Sequence, residues 1–190
     1  MTHSTTRTPS EFLTGLRAVY AVRSAFAVVW ALALVVAMPH VGPLLTALLV
    51  IYPVVDAGAV YVQSRSGRPA STPRVTERIN IVVSVVVAVA VGVASTTSVA
   101  AAVGVWGAWA MLSGVAQLIT ALQRRQAGGQ IAQIVSGAIS VVAGLTFLAQ
   151  AAQGTDSVTS VGGYALLGGF FFLVSAIHMT MILRRTAMHA

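Results

Sequence analysis

The stretch Ile51–Tyr61, IYPVVDAGAVY, sets a proline and a carboxylate, Asp56, inside a long apolar run. In water such a run must be buried, and polar residues must cover it. This chain lacks them. Of its 190 residues 57% are hydrophobic and 8% charged, with a mean hydropathy of +0.87, where a soluble domain carries about 25% charged residues. The stretch is therefore read as part of a membrane-spanning helix, and Asp56 as an acid inside the bilayer.

Working outward, Pro39-His40-Val41-Gly42-Pro43 marks a tight turn before the helix that holds Asp56. A helix of about 20 apolar residues crosses a bilayer. On that measure the chain offers six spans, at roughly 16–38, 44–63, 79–94, 99–122, 131–151 and 161–183. The third is short and valine-rich, but in lipid only helices or closed barrels satisfy the backbone, and strict alternation is absent. Residues 1–15, rich in Thr and Ser, are expected to be a flexible cytoplasmic tail. Residues 16–185 form the membrane domain and 186–190 a short second tail. The polar run Ser64–Arg78 is expected to be an exposed loop, and its end, Ser71-Thr72-Pro73 with Glu77 soon after, can start a short interfacial helix turn before the third span.

All eleven basic residues are Arg. Ten fall in the N-terminal segment, in the 64–78 and 123–130 connections, or after the sixth span, and Arg23 lies just inside the first. The opposite side carries no Arg, and its one acid is Asp156. The positive-inside rule then predicts a multi-pass protein of the inner (plasma) membrane with both termini cytoplasmic. The net charge of +7 reflects this placement, and no nucleic-acid partner is expected. Cysteine is absent, which excludes thiol chemistry and disulfides.

Asp56 also sits within a repeat. Ser24, Ser84 and Ser136 are each followed by an aromatic residue (Tyr52, Trp109, Tyr164), then a small one (Ala57, Gly114, Gly169), then an Arg exit (Arg65, Arg124-Arg125, Arg184-Arg185). The predicted fold is an all-α membrane protein: six transmembrane helices arranged as three repeated helical hairpins, 16–65, 79–125 and 131–185, about an axis along the membrane normal. Small-residue stripes (Ser84, Ala88, Gly92; Ser136, Ser140, Gly144; Ala110, Gly114; Ala165, Gly169) serve either packing within the chain or a dimer seam.

With its aromatic-then-small motif in each second helix and an Arg at each exit, the chain resembles the HdeD-type short-repeat membrane proteins over about Leu16–Arg185. The resemblance implies an association with acid resistance in enteric bacteria and no defined activity. The first unit departs from the pattern: it has Pro53 and Asp56-Ala57 where the others have Ser113-Gly114 and Gly168-Gly169.

Four polar residues are expected at similar depth near the cytoplasmic side: Arg23, Asp56, Gln117 and His178. Arg23 and Asp56 can form a structural ion pair or line a polar cavity, or Arg23 can snorkel outward. Gln117 and His178 either make ordinary interhelical hydrogen bonds or join the cavity, His178 then as a pH-sensing group. Trp30, Trp106 and Trp109 read as packing or interfacial anchors. His3, His40 and His189 lack ligand spacing, so no metal and no cofactor are expected. No catalytic constellation is present. The expected function is a non-enzymatic membrane protein with a structural or stress role, with a small transporter or channel as the alternative. Beyond the lipid bilayer, the expected partners are further copies of the chain or a membrane complex.

Overall fold

The computed structural model describes residues 9–37, 42–65, 75–127, 130–155 and 157–188. His3, His40, His189 and Asp156 lie outside them. Six long helices account for nearly all of the described chain: α1 (Pro9–Ala37), α2 (Pro43–Arg65), α3 (Val75–Ser95), α4 (Val99–Gln123), α5 (Gln130–Ala152) and α6 (Thr159–Met188). Each is long and apolar enough to cross a bilayer. The protein is an all-α, six-span membrane protein.

Three boundaries differ from expectation. α1 begins at Pro9, within the expected tail, because Pro fits the first turn of a helix, where its missing N–H has no partner to lose. α3 begins at Val75, so Glu77 and Arg78 are helical rather than part of a loop. α6 continues through the expected C-terminal tail to Met188.

Two helix ends on the side opposite the arginines are closed by local bonds. Ser98 caps α4 by accepting from the Ala101 N–H at 3.0 Å. α5 ends at Gly154, whose φ of +74° lets the Gly154 and Thr155 N–H groups close on the Ala151 and Gln150 carbonyls.

Each helix packs on its neighbours in sequence, and α6 closes on α1, so the six make a ring. The closest packing lies between successive repeats rather than within a hairpin: α4 on α5, α6 on α1, and α2 on α3. The hairpin is thus a unit of sequence but not the tightest unit of packing. The reason is visible in the small residues. Gly107 and Gly114 of α4 face Gly144 and Gly137 of α5 in antiparallel register. A Cβ at Gly144 would meet the Gly107 carbonyl oxygen at 2.6 Å, and one at Gly114 would meet that of Gly137 at 2.8 Å. At the α6–α1 seam a Cβ at Gly169 would come within 3.0 Å of Ala27. Lipid offers no hydrophobic drive between helices, so close backbone approach and dispersion hold these seams. The small-residue stripes serve packing within the chain.

The ring is apolar outside, and its interior holds a cluster of buried polar groups beside an apolar core. Val22, Val29, Val86, Val89, Val93, Ile131 and Val142 are exposed, while Asp56, Glu77, Asn80, Arg124, Gln130 and Gln133 are buried. This inversion of a soluble protein follows from taking lipid as the solvent.

Candidate functional site

The interior has two layers. The first lies at the end of the ring where α1, α3 and α5 start and α2, α4 and α6 finish, here called the arginine-rich end. Asp56 of α2 is at its centre. Its Oδ1 accepts from the Arg23 guanidinium. Its Oδ2 accepts from Asn80 Nδ2 at 3.0 Å and Ser84 Oγ at 3.2 Å, and Ser84 Oγ in turn accepts from Trp109 Nε1 at 2.9 Å. Arg23 also lies over the Phe172 ring, 4.1 Å from its centroid. The acid that was solitary in the sequence is therefore fully engaged, by α1, α3 and, through Ser84, α4.

A second ion pair joins Glu77 of α3 to Arg124, the C-cap residue of α4. The side chains are 2% and 4% exposed, so this pair is more deeply buried than Arg23–Asp56, at 16% and 6%. The Gln63 amide, turned with its oxygen toward Arg124, accepts from the same guanidinium. Glu77 sits in the first turn of α3 and Arg124 at the end of α4, each at the helix end that favours its charge. On the other flank, Gln117 Nε2 donates to Gln133 Oε1 at 2.8 Å, and Gln133 Nε2 donates to Ser175 Oγ at 2.8 Å. These chains of bonds tie all six helices.

Between them lies a cavity of about 60 Å³. Arg23, Asp56 and Gln117 all line it, with Glu77, Asn80, Ser113, Gln130 and Gln133 among the other walls. Every helix contributes. The Ser113 hydroxyl is buried against this space and has no hydrogen-bond partner among the described residues. Waters need polar partners and room, and a void of this size offers both.

Of the four residues expected in one layer, the structure brings together Arg23, Asp56 and Gln117. His178 is not with them. It is exposed on the outer face of α6, while its neighbours Ser175 and Met179 face inward. Equal depth did not imply equal facing, because a few residues along a helix rotate a side chain to another face. The site residues missed from sequence are Glu77, Arg124, Asn80, Gln63, Gln130 and Gln133. Glu77, Asn80 and Ser84 recur at the spacing of one helical face, a signal hidden by assigning Glu77 to the loop.

The second layer is aromatic and lies next to the first, toward the opposite end. Trp30, Tyr52, Trp106 and Trp109 pack with ring centroids 4.7 to 5.9 Å apart. Its origin is tied to Pro53. A proline in mid-helix has no N–H to give the carbonyl four residues back, here Leu49. The Leu49 carbonyl instead accepts from Trp106 Nε1 at 3.3 Å, and the Leu48 carbonyl accepts from Trp30 Nε1 at 2.7 Å. The tryptophans are packing residues, and Trp106 also serves the carbonyl that Pro53 leaves without its helical partner. Beyond them, toward the opposite end, an apolar pocket of about 520 Å³ lies among Leu45, Leu49, Val50, Val99, Ala102 and neighbours.

The side-chain bonds also refine the repeat. Tyr164 Oη donates to Ser140 Oγ at 3.0 Å, the counterpart of the Trp109–Ser84 bond. The structural equivalent of Ser84 is thus Ser140, one helical turn beyond the Ser136 expected from sequence. In that register Glu77 corresponds to Gln133, and Asn80 to Ser136.

Residues 79–149 match the family model described as a short repeat of unknown function, DUF308. The match spans α3, α4 and most of α5, and so includes the glycine-packed α4–α5 seam. No curated protein and no solved structure matches the chain. The chain is therefore similar, over its second repeat and the first helix of its third, to a short repeat whose function is unknown.

Proposed function

We propose that this is a non-enzymatic, multi-pass protein of a bacterial inner membrane, with both termini cytoplasmic, that binds and passes a small polar solute through its interior. The arginine distribution supports the orientation. The cavity carries the functional reading: a void of about 60 Å³ touched by all six helices, with polar side chains from α1 to α5 in its walls and the Ser113 hydroxyl left to bond whatever enters. A bundle that needed only stability has little reason to keep polar groups around an open space. The aromatic layer is the barrier such a solute meets next, and Pro53 places a weakened stretch of helix beside it.

The test is entry of small polar solutes into vesicles holding the purified protein. The parent is expected to speed entry over protein-free vesicles, and Ser113→Leu, which fills the void, to remove the gain while keeping its helical content. Equal rates for parent and protein-free vesicles overturn the proposal.

A structural role, with the stress association that the HdeD-type resemblance implies, is the second reading. What favours it is the closure of the Asp56 network, in which both carboxylate oxygens are engaged. On that reading Arg23→Ala with Asp56→Ala is as stable as the parent and leaves no transport defect to find.

A further inference from the structure

We infer that the cavity takes a neutral, hydrogen-bonding solute of only a few heavy atoms and rejects ions of either sign. The inference rests on the reading of the cavity as a solute site. It comes from the way the charges around the cavity are arranged.

Two acids face the cavity, Asp56 and Glu77, and each is held by its own arginine, Arg23 and Arg124. The four formal charges sum to zero. A cation would have to displace an arginine from a buried carboxylate, and an anion would have to draw an arginine away from one. Either step leaves a desolvated charge behind, a cost that ordinarily exceeds the gain of the new contact. The ion pairs therefore close the site to ions instead of attracting them.

The remaining polar walls are carboxamides and hydroxyls, among them Asn80, Ser113, Gln117 and Gln133. These groups both donate and accept. Gln117 and Gln133 already bond to each other and to Ser175, so the pair presents its remaining amide capacity in a fixed orientation. A neutral solute with donors and acceptors of its own matches such a wall without any net charge being moved.

Size narrows the class further. At the liquid share of about 30 Å³ per water, a void of about 60 Å³ holds about two waters. Urea and formamide are of that size, whereas glycerol and sugars are larger.

The experiment uses the full chain in liposomes, in one orientation-independent assay. Stopped-flow light scattering follows osmotic recovery in urea and in glycerol. A second set of vesicles reports sodium, chloride and formate entry by conductance or a trapped indicator. The expected result is a several-fold faster recovery in urea over protein-free vesicles, with ion entry unchanged and the gain lost in Ser113→Leu. Faster ion entry without faster urea recovery overturns the neutral-solute inference but keeps the cavity as a solute path. No acceleration for any probe overturns both.

Discussion

The two interior layers of this ring are built from the same six helices and face the same lipid, yet they are held together by different physics. At the arginine-rich end the interior is charge and amide, and its contacts are directional. In the neighbouring layer it is Trp30, Tyr52, Trp106 and Trp109, and its contacts are shape and ring geometry. The polar layer encloses a cavity, and none of these four rings lines it. The contrast shows that the outer faces, dominated by Val, Leu and Ile, carry membrane insertion, while what distinguishes this chain lies inside the ring.

If that contrast is right, the polar layer fails when a charge is stranded, whereas the aromatic layer fails when volume or a donor is lost. The largest expected effect is in the more buried ion pair. Arg124→Ala alone leaves Glu77 without its countercharge and costs about 3–5 kcal/mol, read as loss of folded protein in a denaturant titration. Arg23→Ala or Asp56→Ala alone destabilises in the same direction, less for the partly exposed Arg23. Removing both members of the Arg23–Asp56 pair recovers most of the loss. If the double variant is as unstable as the sum of the singles, the two layers do not differ in the way described.

Next in size is a change that spans both layers. Gly144→Ala pushes a Cβ into the backbone of α4, which cannot swing away like a side chain. It should cost about 1–3 kcal/mol, while Gly58→Ala, with nothing within 4 Å of its Cβ, is tolerated. In the aromatic layer, Trp106→Phe keeps most of the ring volume but removes the donor to the Leu49 carbonyl, at about 1–3 kcal/mol. Pro53→Ala restores a backbone N–H there, so in that background Trp106→Phe should cost measurably less. Equal costs in the two backgrounds would separate Trp106 from the proline. The smallest effect is at His178, whose exposure on the outer face predicts a change within about 0.5 kcal/mol for His178→Ala and no effect on solute entry.

Much of this was legible from residue types alone. Six spans, the triple repeat and the Arg23–Asp56 pairing all follow from apolar run length, from the recurrence of aromatic, small residue and Arg, and from matching depth in a hairpin. What was not legible has a common cause. Glu77 and Arg124 lie at helix ends, where a charged residue in sequence looks like any loop residue facing water. The α3–α4 hairpin sets the end of α4 beside the start of α3, and packing against the rest of the ring buries both residues. His178 shows the converse: depth can be counted along a chain, but facing depends on which helices become neighbours. The Ser136-for-Ser140 register was ambiguous because small residues recur every turn on α5, and it took a side-chain bond to Tyr164 to choose between them. The role of Pro53 needed the same kind of information, since the tryptophan that serves the carbonyl it leaves free comes from α4.

The claim on which the rest depends is that the polar cavity is reached from the arginine-rich side and that the aromatic layer narrows the far side below the size of a labelling reagent. The chain has no cysteine, so Ser113→Cys introduces a single thiol at the cavity wall. Labelling it in sealed vesicles of known orientation with a small, membrane-impermeant methanethiosulfonate tests the claim directly. The account predicts modification when the reagent is added on the arginine-rich side and none when it is added on the other. Modification from the opposite side, or from neither, would contradict it.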